Sequence, residues 1–528
     1  VYVIWPSGET EKITSFKPNQ LNKLNRGAGT KLLLPHVASS PALFSFADSL
    51  QFDAHMEDEY VDFYNERNIL WMNSRDGAQV AKADVNGDGL EDIYIGGAAK
   101  QAGQLYLQTA AGFKKSLQPV FETFKEWEDV AVVFMDADGD GDADLVIGSG
   151  GNNQVLQSHK LDHRLYLNDS KGNFSAVPNA FPANGMNISV LVPIDIDGDG
   201  DLDLFAGARS IPYQYGVPAS SQLLLNNGKG IFELYRLNGK NPFDSLGMVT
   251  AAVGANISGD SKKELVLVGE WMTPLVYEWK NNQLTSINGY FPTLSGWWQS
   301  IAAADLDGDG IEELVLGNIG DNFYLRADSL HPVKIWHNDF DDNGTAENII
   351  TRSIGGKDMP VFMKRELTEQ IPGLKKQNLR NEQFATKSVH DLFDATVING
   401  SVMRSVNYTK SCIVFLGEKA VRSIVPLDFR VQLSSVHAIR ILDLNKDSKP
   451  DLILGGNMLC LQPQFGQLDA SFGHVLLNKG GGQFRYLPPA ESGFFVKGAI
   501  RDLEILESKK GNRLLVTRNN ARPVLFRF

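Results

Sequence analysis

Asp136-Ala137-Asp138-Gly139-Asp140-Gly141-Asp142-Ala143-Asp144, followed by Leu145-Val146-Ile147-Gly148, is the most telling segment of the chain. Carboxylates stand at positions 1, 3, 5 and 9 of a nine-residue loop. Glycines at positions 4 and 6 let the backbone curl, so the oxygens converge on one point. A carbonyl at position 7 and the carboxylate at position 9 complete an all-oxygen cage. Calcium suits so flexible a set, whereas magnesium demands a stricter octahedron and keeps its waters. The apolar run that follows, ended by glycine, reads as a short strand.

The phrase recurs along the chain. One copy holds Asp84, Asn86, Asp88 and Asp92; the quoted one holds Asp136, Asp138, Asp140 and Asp144. Further copies hold Asp195, Asp197, Asp199 and Asp203, then Asp305, Asp307, Asp309 and Glu313. A variant holds Asp443, Asn445, Asp447 and Asp451. A loop off the main spacing holds Asp339, Asp341, Asn343 and Glu347. A worn copy at Asn256, Ser258 and Asp260 has lost charge beside Lys262-Lys263, which puts calcium there in doubt. A single Asp-Gly cluster reads equally as a solvated turn; repetition favours the cage. An EF-hand needs Glu at position 12 and a helix on each side. Position 12 here is Ile95, Ile147, Ala206 or Leu316, inside an apolar run. The loop therefore joins two strands, and Gln104–Leu107, Arg164–Asn168 and Gln222–Asn226 read as the strands that follow.

First positions fall at 84, 136, 195, 256, 305 and 443. A unit of about 50 to 60 residues is one four-stranded propeller blade with generous loops. Near the end, Ile500–Leu506, Arg513–Thr517 and Pro523–Phe526 supply three strands without a cage, and the stretch near Leu43–Phe46 can donate the fourth. The expected fold is all-β: a seven-bladed β-propeller with calcium loops and a small helical insertion, six or eight blades being the alternatives. The step from 305 to 443 exceeds one blade, which places the insertion at about 330–430. Its helical stretches are Val361–Leu367, a break at Ile371-Pro372-Gly373, Leu374–Phe384, and a last turn capped by Ser388.

The loops and the glycines after them resemble FG-GAP/VCBS repeats, as in the integrin α-subunit propeller. The opening Trp5-Pro6-Ser7-Gly8-Glu9 through Asn19-Gln20 resembles the end of an ASPIC/UnbV module, so residues 1–30 are expected to be its remnant and 31–528 the propeller. Asp339–Gly344, Gly455-Gly456-Asn457 and Asp469–Gly473 are similar to the large VCBS/UnbV proteins of Bacteroidota. The resemblance implies surface or secreted binding proteins whose calcium loops are structural and lie opposite the usual ligand face.

Composition bounds the partners. The formal charge of −13 argues against nucleic acid and anionic membranes. Five to six calcium ions would bring it close to zero. No run of 18 apolar residues exists, so the chain is not expected to span a membrane. Cys412 and Cys460 exclude a disulfide framework; they form one bridge or stay free. The start at Val1, without Met or lead-in, suggests a piece of a longer precursor.

Other candidates are weaker. Lys364, Arg365, Lys375, Lys376, Arg380 and Lys387 make the insertion the most basic patch, either a solvated helix face or a dock for an acidic partner. Trp271, Trp279, Tyr290, Trp297 and Trp298 could stack sugars, but packing between blades is the simpler use. His159 with His163, and His331 with His337, lack a third ligand in sight. No nucleophile elbow, zinc-protease helix, phosphate loop or dinucleotide fingerprint appears, so no catalytic residue is assigned. The expectation is a non-catalytic, calcium-stabilised binding propeller, secreted or on the exterior face of a bacterial outer membrane. Its partner is an envelope or surface protein, such as part of a nutrient-uptake complex, or a glycan. The alternative is a polysaccharide lyase or glycosidase, marked by Arg, Lys, His and Tyr converging at the central channel away from the loops.

Overall fold

A computed structural model describes the chain apart from residues 1, 6–9, 28–29, 33–41, 48–49, 261, 282, 288, 292, 418–419 and 508–510. Two compact units result, Val1–Ala42 and Leu43–Phe528. The first holds a three-stranded antiparallel sheet, Tyr2–Ile4, Thr10–Lys12 and Thr30–Leu32. Residues 6–9 of the ASPIC/UnbV-like phrase lie outside the described residues.

The second unit is built from antiparallel sheets that follow one another along the chain. The first is Val80–Ala83, Asp92–Ile95, Gln104–Thr109 and Gly112–Ser116. The second is Glu128–Met135, Asp144–Gly150, Arg164–Asn168 and Phe174–Ala176. The third is Asn187–Ile194, Asp203–Ser210, Gln222–Asn226 and Phe232–Leu234. The fourth is Met248–Ala255, Glu264–Met272, Leu275–Lys280 and Gln283–Ser286, with Gly296–Trp297 added beside its second strand. The fifth is Ser300–Ala304, Glu313–Gly317, Cys412–Gly417 and Ala420–Pro426. The sixth is Val436–Leu442, Asp451–Gly456, His474–Asn478 and Phe484–Leu487. The seventh is Ile500–Leu506, Arg513–Arg518, Val524–Arg527 and, from the start of the unit, Ser45–Ala47. Phe46 pairs with Phe526 across that last seam.

Each first strand lies beside the first strand of the next sheet, and that of the seventh lies beside that of the first. Alternation along the second strands explains the ring. Leu145 and Ile147 pack with Tyr94 and Leu105 of the first sheet, while Val146 packs with Leu204 and Leu224 of the third. The same division recurs at Phe205 against Leu265, Val266 against Leu314, Val315 against Leu452, Ile453 against Leu514, and Leu515 against Ile93. A strand covered on both faces reads as a continuous apolar run, which is why these segments carry no polar alternation.

Between Gly317 and Cys412 the chain leaves the fifth sheet. Expected as helical, this segment also forms a sheet of its own: Val333–Asn338, Glu347–Ile354, Lys357–Pro360 and Val402–Val406. Short helices lie between, Lys364–Gln370, Gly373–Gln377, Asn381–Ala385, Val389–Leu392 and Ala395–Asn399. The break at Ile371-Pro372 is present, and Ser388 caps Val389–Leu392 in a reciprocal box with Asp391. Cys412–Gly417 and Ala420–Pro426, inside the expected insertion range, return to the fifth sheet because the apolar Cys412 and Val414 complete the core against the fourth.

Candidate functional site

Each acidic loop links the first and second strands of a sheet, and its ninth residue opens the second strand: Asp92, Asp144, Asp203, Glu264, Glu313 and Asp451. The loop off the main spacing has the same form, with Glu347 opening the second strand of the insertion sheet. The first carboxylate gathers the turn. Asp84 accepts from the N–H of Gly87 at 2.8 Å and of Gly89 at 2.7 Å. Asp136, Asp305 and Asp339 accept from Gly141, Gly310 and Gly344 at 3.1, 3.0 and 2.8 Å. Gly87 and Gly89 hold φ of +73° and +80° with open space around them, so conformation and not crowding demands glycine.

The ninth carboxylate is anchored from behind. Leu306 N–H donates to Glu313 at 2.8 Å and Phe340 N–H to Glu347 at 3.0 Å. In the aspartate copies a third-strand amide holds the other oxygen: Gln108 on Asp92 at 2.7 Å, Asn168 on Asp144 at 2.9 Å, Asn226 on Asp203 at 2.9 Å and Asn478 on Asp451 at 2.7 Å. Burial, reinforced by the neighbouring aspartates, pushes Asp92 up to about 6 and Asp144, Asp203, Glu313 and Glu347 up to about 7, against those amides. Burial raises Asp451 as well.

Carboxylate oxygens lie within 4.8 Å of one another in four groups: Asp136, Asp138 and Asp144; Asp195, Asp197 and Asp199; Asp305, Asp307 and Glu313; Asp339, Asp341 and Glu347. In the Asp84 and Asp443 loops, Asn86 and Asn445 stand at position 3, and no such trio of acids forms among the described residues. A hard cation fits the donors present. Asp307 Oδ1, Glu313 Oε1 and Asp341 Oδ1 are buried with no hydrogen-bond partner, and gathered carboxylates that repel one another are relieved by a dication. The residues that would hold it are those of positions 1, 3, 5 and 9. The worn loop closes on itself instead: Ser258 Oγ donates to Glu264 at 2.7 Å, and Ile257 N–H takes the other oxygen at 3.0 Å.

One neighbour escaped the reading of spacing. Arg422, on the outer strand of the fifth sheet, donates to Asp307 and, at 3.2 Å, to Asp309. It places a tethered cation against positions 3 and 5 of that loop. No local signal marks it, because more than a hundred residues separate it from the loop.

At the other ends of the first strands, the sheets converge on a narrow cavity of about 50 Å³. Register shifts leave Val130, Ser189, Thr250, His437 and Arg501 unpaired in five first strands. Bulges re-aim the extra side chain, and all five line this cavity with Gln79, Gln299, Asp76 and Arg209. Arg209 binds Asp76 and Glu270 at 2.5 Å each. Glu270 also accepts from Tyr215 Oη at 2.7 Å and from Trp71 and Gln299 at 3.2 Å. Arg501 donates to the carbonyls of Asn457 and Arg75, at 3.1 and 3.3 Å. Nearby, burial pushes Glu57 up to about 7 and raises Glu128 well above the usual carboxylate range, Glu57 adding repulsion to Glu128.

The remaining sequence candidates resolve as structure. Trp271, Trp297 and Trp298 are buried, so they offer no sugar platform. Trp297 meets Trp71 and Trp271 edge-on beneath the insertion, Trp298 and Tyr290 pack between the fourth and fifth sheets, and the half-buried Trp279 packs on Tyr235 between the third and fourth. His159 and His331 are exposed beside Asp162 and Asp328, His163 is buried against Phe181, and His337 is half-buried. Cys412 and Cys460 are free thiols. No described helix is long and apolar enough to cross a membrane.

Sheets in a ring, with acidic loops at the hairpins of the first, second, third, fifth and sixth, define a β-propeller. The family model described as FG-GAP-like repeat matches residues 84–147, 150–206 and 256–316. Among solved structures the chain is similar to the V. cholerae biofilm matrix protein Bap1, at 11% identity and TM-score 0.37 over 90% of this chain and 91% of that one. It is similar to Saccharomyces cerevisiae Sqt1, at 12% identity and TM-score 0.39 over 87% and 97%. It is also similar to the Dos1 propeller, at 9% and 0.37 over 87% and 95%. No curated protein matches it in sequence.

Proposed function

We propose that the chain is a seven-bladed propeller stiffened by five to six calcium ions, acting as a non-catalytic binding module. It is secreted or displayed on the exterior face of a bacterial outer membrane, and residues 1–30 end an ASPIC/UnbV-like module of Bacteroidota type. Its partner is an envelope protein, such as part of a nutrient-uptake complex, or a glycan. The observation that supports the calcium reading best is the set of buried, unpartnered oxygens on Asp307, Glu313 and Asp341. Lys375, Lys376 and Arg380, exposed on the insertion, offer an acidic protein a face of opposite charge. Calcium that binds only the native state stabilises by about 2.7 kcal/mol per site at a hundredfold excess over Kd. The test is a thermal melt in chelator and in calcium; equal melting temperatures overturn the reading.

A second reading has its own support. Arg209, Arg501 and His437 gather at the cavity opposite the loops, near the half-buried carboxyl of Glu57 and the buried one of Glu128. A carboxyl titrating near neutrality can act as general acid or base. Release of products from a polysaccharide panel, abolished by Glu57→Gln or Glu128→Gln, would establish a lyase or glycosidase instead.

A further inference from the structure

Loops joining second to third strands leave the ring at the end opposite the cation loops. There the insertion hairpin, the segment before the first sheet and the turn after Ser210 enclose a pocket of about 470 Å³. That size falls in the range of about 300–1,000 Å³ typical of small-ligand sites. Two of its polar side chains keep unpartnered atoms. Asn68 is 1% exposed, and neither its Oδ1 nor its Nδ2 is hydrogen-bonded. Gln370 Oε1, at the end of its helix, is buried and equally free. Asn348 Nδ2 donates to Tyr215 O at 2.7 Å, which turns Asn348 Oδ1 toward His337 Nδ1 at 2.8 Å. His337 Nδ1 is therefore the donor, and Nε2 is left as an acceptor. Tyr213 lines the pocket with a left-handed φ of 60°, a strained conformation for a bulky residue that marks functional surfaces.

A buried group left unpaired costs about 1–3 kcal/mol, so this pocket is built for a ligand that both donates and accepts. No Lys or Arg lines it among the described residues, which disfavours phosphates, sulfates and uronates. A cation would use only acceptors and leave Asn68 Nδ2 unpaired. We propose that the pocket binds a neutral saccharide, its hydroxyls bonded to Asn68, Gln370 Oε1 and His337 Nε2, with one ring face against Tyr213. The inference rests on the binding reading above and assigns its glycan a place. Asn343 and Glu347 of the off-register cation loop form one wall, so the loop's order shapes the pocket.

The test is saturation-transfer NMR and calorimetry on the full chain in calcium, with malto-, cello-, xylo- and manno-oligosaccharides. The expected result is one-to-one binding of at least one series. Gln370→Ala and Tyr213→Ala should each weaken it by about tenfold or more, while Gln370→Glu, which keeps the acceptor, retains it and melting temperatures stay unchanged. No binding up to about 10 mM (a free energy below about 3 kcal/mol) overturns the proposal, as does equal binding by the variants. Preference for polygalacturonate or spermine also overturns it. If sugars fail while calcium still raises the melting temperature, only the pocket assignment falls. If calcium leaves the melt unmoved, the binding reading falls by that measurement.

Discussion

Lys446 and Ser448 hold left-handed φ of 61° and 65° at the two loop positions that are glycine in the Asp84, Asp136, Asp195 and Asp305 copies. The hydrogen bonds of Asp443 impose that shape, since Ser448 N–H donates to its Oδ2 at 2.8 Å. A side chain there costs roughly 1–2 kcal/mol, partly offset by the greater unfolded freedom of glycine. Lys446→Gly and Ser448→Gly should each stabilise the chain by about 0.5–1 kcal/mol, read from denaturant melts in chelator; a loss of stability would show that the loop is shaped otherwise. Arg422 is a second residue-scale case. Half exposed, it neutralises Asp307 and Asp309 without a metal. Arg422→Ala should raise the calcium affinity of the fifth loop, seen as one tighter class in a calorimetric titration. Unchanged isotherms would mean that the guanidinium yields its place freely.

At the scale of the element, the hairpin with its loop behaves as a proton-linked cation site. The ninth carboxyls sit above their unfolded values of roughly 4; Asp92 lies at about 6 and Asp144, Asp203, Glu313 and Glu347 at about 7. The native state therefore binds more protons than the unfolded one between about pH 4 and pH 7. Without metal, stability is highest where these groups are protonated and falls as pH rises through that window. A dication needs the ionised form, so binding releases protons. The calcium-induced rise in melting temperature should be larger at pH 7.5 than at pH 5.0, and chelated protein should melt lower at the higher pH. Equal increments at both values would count against ligation by these carboxyls. This element was legible in the chain because its ligands lie within nine residues. The insertion was less so: its sheet pairs Val333–Asn338 with Val402–Val406 across more than sixty residues, while its helices announced themselves by local caps and breaks.

For the whole molecule, closure of the ring is the decisive contact. Phe44, 2% exposed, packs on Phe494, Phe526 and Phe528, while Phe46, on the same closing segment, is 67% exposed. Phe44→Ala should cost about 3–5 kcal/mol, and Phe46→Ala should stay within about 0.5 kcal/mol, both from urea melts. Equal losses, or none, would mean that the seam does not hold the ring. Edge strands left open invite association, so the Phe44 variant should also aggregate on size exclusion.

Sequence alone determined the repeating loop, the strand on either side of it and the shared strand that closes the ring, because those follow from local spacing and short apolar runs. Tertiary packing alone set where Arg422 points, that Trp271, Trp297 and Trp298 are buried, and which side chains meet at the cavity. Val130, Ser189, Thr250, His437 and Arg501 come from five sheets and share no motif. They meet because one extra residue in each strand turns inward where the sheets converge, and such a meeting exists only once the ring has closed.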